Sequence, residues 1–554
     1  MAASSEILTT IAPAISLLGL GIGAALASKV LRLSPIVGYI VLGLALGAFG
    51  YADRFEGPVV EALAEAGVMF LLFNLGLHFS LTRIREEAGN IFGFGALQMT
   101  VASAGFGVAA WLLGQSVTAS IIIGAALGLS STAVVIGLIQ QRGQADCPVG
   151  RAAQSILIFQ DIAAIALLIA ATALAAGSGS LAGDLGWAAL KAVAAFGVAV
   201  IFSRYLTAPL FRLIANARSN EVFTATALFL ALAAGWATGA IGLSLTLGAF
   251  LGGVAIAESR YRVLVQAEIE AFRGLFLGFF FMTVGLSLNP ALLAERWPQV
   301  LGIAAALIAM KCALNVAAAL ANRWSVPGSV QLGFLLGQGS EFALVVFSLP
   351  AVAVLIGTDV VAMLVAAIAI SLAATPAISD VGRTLAGRLR RGPPDSKIAG
   401  DDAPVIIVGM GPKGRALADA LAQRDVGHVA LEFDDRLFET AVADGYDVHF
   451  ASPADPRSWQ PLSMGDRQVI VLTRLDYEAA RDLHPIVEEY LPGLTRIAAM
   501  VDGEDGARYG AVGMQAVDAH GEEGDRRLLV HVLRSLGMED EVPPQETAGV
   551  AIAA

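Results

Sequence analysis

Residues 152–176 read AAQSILIFQDIAAIALLIAATALAA, with a single carboxylate, Asp161, near the middle of an otherwise apolar run. A helical span needs about 20 mostly apolar residues, so the run is long enough to cross a bilayer. A charged side chain at that depth costs at least about 2.5–3.5 kcal/mol, so an aspartate there needs a partner or a task. A carboxylate in the membrane holds either a proton or a dehydrated alkali cation, not comfortably both. That is the minimal chemistry of ion exchange, and it makes Asp161 the candidate carrier.

The flanking sequence has the composition of a membrane protein. Apolar residues make up 56% of the 554 residues and charged ones 15%, against about 45–50% and 25% in soluble domains. Thirteen segments qualify as spans, near 10–28, 35–50, 59–79, 91–114, 118–140, 152–176, 186–205, 222–240, 243–257, 270–288, 299–321, 330–351 and 359–379. Alternating the loops puts 18 basic residues on one side and only Arg54, Lys191 and Arg296 on the other. Under the positive-inside rule this supports an odd number of spans, with the N-terminus outside and the C-terminal part in the cytosol. No basic segment precedes the first run, which starts after Glu6, so it reads as a span and not as a cleaved signal. Cys147 and Cys312 lack partners at ligand spacing, so neither a disulfide framework nor a metal site is indicated.

Two spans are interrupted by small polar clusters. The fifth carries Gly128-Leu129-Ser130-Ser131-Thr132 and the twelfth Gly337-Gln338-Gly339-Ser340-Glu341. Paired interruptions point to a transporter's ion site, because half-helix ends supply dipoles and free carbonyls. Close packing through small residues would explain the glycines and serines but not Gln338 and Glu341. Lys311, central in the eleventh span, either balances the Asp161 carboxylate or pairs with Glu341. Gln160 either contacts the ion through its carbonyl or caps a backbone group.

Charge shifts in the last third. Residues 401–554 hold 13 Lys and Arg against 28 Asp and Glu, leaving 22 against 19 to residues 1–400. A basic, Pro-containing linker over 383–402 separates a membrane domain, 1–382, from a domain over 403–520 and a tail over 521–554. After a buried strand at 403–408, the turn Gly409-Met410-Gly411-Pro412-Lys413-Gly414 opens a helix from Arg415 to Gln423. This is a GxGxxG turn in strand-to-helix context, where glycines allow close approach of a phosphate to a helix N-terminus. A second strand, 428–433, ends with Glu432, where an acid binds ribose hydroxyls; Phe433 adjoins it, and Asp434 and Asp435, past the strand end, are the alternative ribose partners. Further strands are expected at 447–450, 468–472 and 496–501, giving a Rossmann-type α/β domain. No catalytic His or Tyr constellation accompanies it, so binding without turnover, a regulatory role, is expected.

These motifs, with Ala257-Glu258-Ser259 and the acidic loop to Arg273-Gly274, resemble the Kef-type potassium:proton antiporters of the second monovalent cation:proton antiporter family. The resemblance covers nearly the whole chain. It implies a multi-pass inner-membrane homodimer, joined through both domains, whose core moves like an elevator beside two crossing interrupted helices. It implies exchange of potassium and protons at Asp161 with Gln160 as neighbour, and Gln-Asp in place of paired acids favours potassium. The last part resembles RCK/KTN domains that bind AMP or NAD(H), and Kef proteins are further regulated by glutathione and its adducts. This chain departs from longer Kef tails after about residue 520, where only one short helix, Asp525 to Leu536, is expected. A sodium:proton antiporter of the same fold, and a membrane-anchored NAD-dependent oxidoreductase, are the alternatives on residues alone; nothing points to nucleic acid.

Overall fold

The computed structural model describes residues 2–31, 33–55, 57–78, 88–142, 144, 147–175, 220–240, 245–257, 259, 261–390, 403–450, 467–473, 477–490, 493–500 and 506–538. They form two compact units. The first comprises residues 1–135, 153–322 and 333–379, and the second 136–152, 323–332 and 380–554.

The helices in chain order are α1 Ala2–Val30, α2 Pro35–Ala48, α3 Ala52–Phe55, α4 Pro58–His78, α5 Ala96–Leu112 behind a π-helical turn, α6 Val117–Gly128, α7 Thr132–Gln141 and α8 Pro148–Ala175. There follow α9 Asn220–Ala240, α10 Leu245–Ala257, α11 Arg262–Ser287, α12 Pro290–Glu295, α13 Trp297–Ala321, α14 Val326–Leu335, α15 Glu341–Phe347, α16 Pro350–Ile356 and α17 Thr358–Arg390. Among the described residues seven helices are long and apolar enough to cross a membrane, or eight if the two halves of the bent α11 are taken as one span. Other expected spans fall on shorter apolar helices, and the one at 186–205 lies outside the described residues.

Glycine sets helix spacing in the first unit. A Cβ on Gly76 of α4 would sit 2.2 Å from the Phe250 carbonyl oxygen and 2.9 Å from Gly253 Cα of α10. Only hydrogen fits there, and the close backbones gain the dispersion contact that lipid cannot supply. The fifth and twelfth spans are both broken as expected, α6 from α7 at 129–131 and α14 from α15 at 336–340.

In the second unit six parallel strands, β1 Val405–Val408, β2 His428–Glu432, β3 Val448–Phe450, β4 Val469–Leu472, β5 Thr495–Met500 and β6 Gln515–Asp518, lie in the order β3-β2-β1-β4-β5-β6. The apolar runs of β1 and β4 are buried throughout, as strands covered on both faces require. Helices α18 Pro412–Ala422, α19 Asp435–Ala443, α20 Tyr477–Tyr490, α21 Gly506–Gly510 and α22 Gly521–Ser535 connect and flank them.

Two boundaries differ from expectation. The linker expected from 383 begins as helix, because α17 runs on to Arg390. The short helix expected in the tail is α22, but it belongs to the domain, since its Leu528, Leu529, Val532 and Leu533 join the core shared with β1 and β4. The strand β6, too short and polar to stand out in the sequence, completes the sheet beside β5.

Candidate functional site

The two helix breaks meet. The Ser130 hydroxyl donates to the Leu336 carbonyl at 3.0 Å, joining the first break to the second. At the start of α7 the Thr132 hydroxyl donates to Asp161 Oδ1 at 2.9 Å. Ser131 and the Ala133 N–H reach the carboxylate of Glu341, and the two carboxylates are close enough to act on each other. Both acids thus gather where helix N-terminal N–H groups favour negative charge. The Ser340 hydroxyl accepts from the Phe342 N–H and caps α15. Gln338 is buried with neither side-chain polar atom paired, and one Glu341 oxygen is likewise unpaired.

One expectation changes, and one open alternative is selected. Lys311 pairs with neither carboxylate: its buried ammonium donates to the Leu127 carbonyl at 2.7 Å and to that of Leu129. It compensates the C-terminal end of α6, where a cation opposes the helix dipole. Gln160 takes the backbone-capping alternative, and both of its polar ends are engaged. Its Oε1 accepts from the Ser130 N–H at 2.7 Å and its Nε2 donates to Gln98 Oε1 at 2.8 Å. Gln98 Nε2 in turn donates to Asn315 Oδ1 at 2.7 Å, and Asn315 Nδ2 to the Leu336 carbonyl at 3.0 Å. Gln98 and Asn315 were missed in the sequence. The signal for them was an uncharged amide inside each of two apolar spans, with Asn315 one turn beyond Lys311.

At the nucleotide turn Gly409 has φ +98°, a left-handed value that suits glycine. A Cβ on Gly414 would lie 1.9 Å from the Gly409 carbonyl oxygen, so the third glycine lets α18 close on β1. Gly411 is the N-cap of α18 without a side-chain cap, and Pro412 follows at the first turn. The N-cap residue therefore offers no side chain to the leading N–H groups, which suits a phosphate, and Lys413 sits on the same turn. The acid Glu432 is buried and engaged: Oε2 accepts from the Met410 N–H at 2.7 Å, and Oε1 from the N–H groups of Phe433 and Asp434 at 2.8 and 2.9 Å. A ribose would have to compete for it. Asp434, expected beside the ribose, caps α19 by accepting from the Leu437 N–H at 3.1 Å.

Comparison with known proteins accounts for both units. Residues 14–379 match the sodium/hydrogen exchanger transmembrane family, and residues 405–517 the TrkA-N domain. The chain is 35% identical over 413 residues to K(+) efflux antiporter 1, chloroplastic, of Arabidopsis thaliana, covering 72% of this chain and 35% of that one. It is 32% identical over 515 residues to the glutathione-regulated potassium-efflux system protein KefC of Salmonella paratyphi B, covering 92% and 82%. The chain thus spans about a third of the chloroplastic relatives' length. The sodium proton antiporter MjNhaP1 of Methanocaldococcus jannaschii superposes with a TM-score of 0.51 at 14% identity, covering 69% of this chain and 100% of that one, a likeness of fold. The relatives are transporters, and with the first match spanning most of the helices and KefC matched over most of its length, the chain belongs to the Kef-type antiporters of the sodium/hydrogen exchanger family and carries a TrkA-N domain.

Proposed function

We propose that the chain exchanges potassium ions for protons across a membrane, with Asp161 alternately holding the proton and the cation. The observation that carries this is the placing of a partly buried intramembrane carboxylate, bonded to Thr132, at the meeting of two broken helices. Deprotonated, Asp161 attracts a cation that loses part of its water; protonated, it releases it. Gln338, Ser131 and the free Glu341 oxygen are the neutral and acidic groups on hand to complete a cation's shell.

The amide chain through Gln160, Gln98 and Asn315 ties both breaks and the Asp161 helix together, which favours the site moving as one body, an elevator, over its dismantling in each cycle. In this reading thirteen spans place the N-terminus outside and the TrkA-N domain in the cytosol of a homodimer in the inner-membrane lipid. AMP or NAD(H) at the glycine turn sets the transport rate, and glutathione, which the name of KefC states as that protein's regulator, acts with its adducts as a further control.

The test is purified protein in vesicles containing a pH dye, challenged in turn with potassium, sodium and lithium. Potassium should drive proton movement, and Asp161→Asn should abolish it in a protein that still melts normally. Full exchange in Asp161→Asn would sink the assignment and move the carrier role to Glu341; a response to sodium alone would change the substrate.

A further inference from the structure

Three segments of the second unit converge on one carboxylate. Asp444 is 2% exposed. It accepts from Gln144 Nε2 at 2.7 and 2.9 Å through its two oxygens, from Arg383 Nε at 3.0 Å and from Arg415 Nη1 at 3.0 Å. Gln144 lies between α7 and α8, Arg383 is on the last turns of α17, and Arg415 is on the first turns of α18, behind the nucleotide turn. The end of α17 is held without slack, for a Cβ on Gly445 would lie 2.1 Å from Gly387 Cα.

The chain of bonds continues to the nucleotide turn. Arg415 Nε donates to the Met410 carbonyl at 2.9 Å, while the Met410 N–H donates to Glu432. Met410 is thus held on one side by the acid a ribose would engage and on the other by the arginine that holds Asp444. A ligand that draws Glu432 toward its hydroxyls removes the acceptor of the Met410 N–H, and the residue is then free to turn. Turning withdraws the carbonyl from Arg415. At the far end, Gln144 lies in the connection between α7, which begins at Thr132, and α8, which carries Asp161. Whatever holds or releases that connection acts on both partners of the carrier contact.

We infer that Asp444 is the joint through which nucleotide occupancy of the glycine turn reaches the ion-carrying helices. The inference rests on the proposed nucleotide gating and gives that gating a route. A buried acid shared by two arginines is a poor way to gain stability, because well-packed apolar residues often do as well. It is a good way to hold a two-state contact that a small change at one donor can bias. By linkage, the same joint makes transport state alter nucleotide affinity.

The experiment uses the full chain, with AMP as the probe. Potassium-driven proton flux is measured in vesicles with and without AMP, and AMP binding to the same protein is measured by calorimetry in detergent. Gln144→Leu removes two bonds to Asp444 and leaves both arginines in place. It should bind AMP and exchange ions as the wild type does without AMP, while the AMP effect on flux, of the usual coupling size of about 5- to 150-fold, falls to none. Asp444→Asn should do the same; where it fails to fold, Gln144→Leu and Arg383→Met decide. A wild-type AMP effect in Gln144→Leu overturns the joint alone. Loss of AMP-free flux in a folded Gln144→Leu overturns it as a regulatory contact and makes the loop part of transport itself. A wild-type protein that does not bind or respond to AMP overturns the gating reading as well.

Discussion

His428 starts β2 with its side chain half-buried and its Nδ1 3.4 Å from the Val426 carbonyl oxygen. Burial pushes its pKa below the usual histidine value, and the Val426 carbonyl, Asp419 and Asp447, which raise it, do not win. The folded domain therefore disfavours the imidazolium, while the unfolded chain takes up a proton near pH 6.5. Stability is present above that pH and is lost as pH falls through the lowered folded value. The melting temperature of the TrkA-N transition should drop between about pH 7 and pH 5, and His428→Gln should flatten the drop. An equal slope in the variant would place the acid sensitivity elsewhere. Single residues also show how far composition misleads. Lys311 and Asp161 are both intramembrane charges, and opposite charges invite pairing, yet the lysine serves two backbone carbonyls and the aspartate a threonine hydroxyl.

Paired helices broken at mid-depth expose N–H and C=O groups that hydrocarbon cannot satisfy, so something polar must meet them. Here the Ser130 N–H goes to Gln160, and the Leu336 carbonyl accepts from both Ser130 and Asn315. Gln98 on α5 is the link between these two ends, buried at 1% exposure. Gln98→Leu should leave the Gln160 amide and the Asn315 oxygen without partners, a loss of about 1–3 kcal/mol for each buried group. The expected outcome is a lower melting temperature in detergent together with slower exchange, without any change in AMP binding to the TrkA-N domain. Unaltered melting and flux would show that the breaks are held by their own backbone contacts.

For the whole molecule, trading one proton for one potassium ion at Asp161 moves no net charge. Each unbalanced charge would instead feel about 2.3 kcal/mol per 100 mV of membrane potential. The reversal condition of potassium-driven flux in vesicles should then be independent of an imposed potential, even where the rate responds to it. A reversal that shifts with voltage would rule out one-for-one exchange and bring Glu341 in as a second titrating carboxylate. Charge is distributed to match this division of labour. The acidic excess lies in residues 401–554, outside the membrane domain, while the few buried charges of the membrane domain, Lys311 and Glu341, meet the residues of the helix breaks.

The class of the protein was legible in the residues alone, because hydropathy and the strand-turn-helix setting of Gly409 to Gly414 are local properties that no packing overrides. Both helix breaks and the intramembrane Asp161 were legible too, since a bilayer tolerates paired polar interruptions at mid-depth chiefly where they line an ion's path. What the polar groups do to one another became visible only in the folded chain. Gln98 and Asn315 are 217 residues apart, and they become one network only when α5 and α13 lie side by side. The same holds for Gln144 and Asp444, 300 residues apart. A hydrogen bond depends on distances of a few tenths of an ångström, and spacing along the chain carries no such information across a fold of this length.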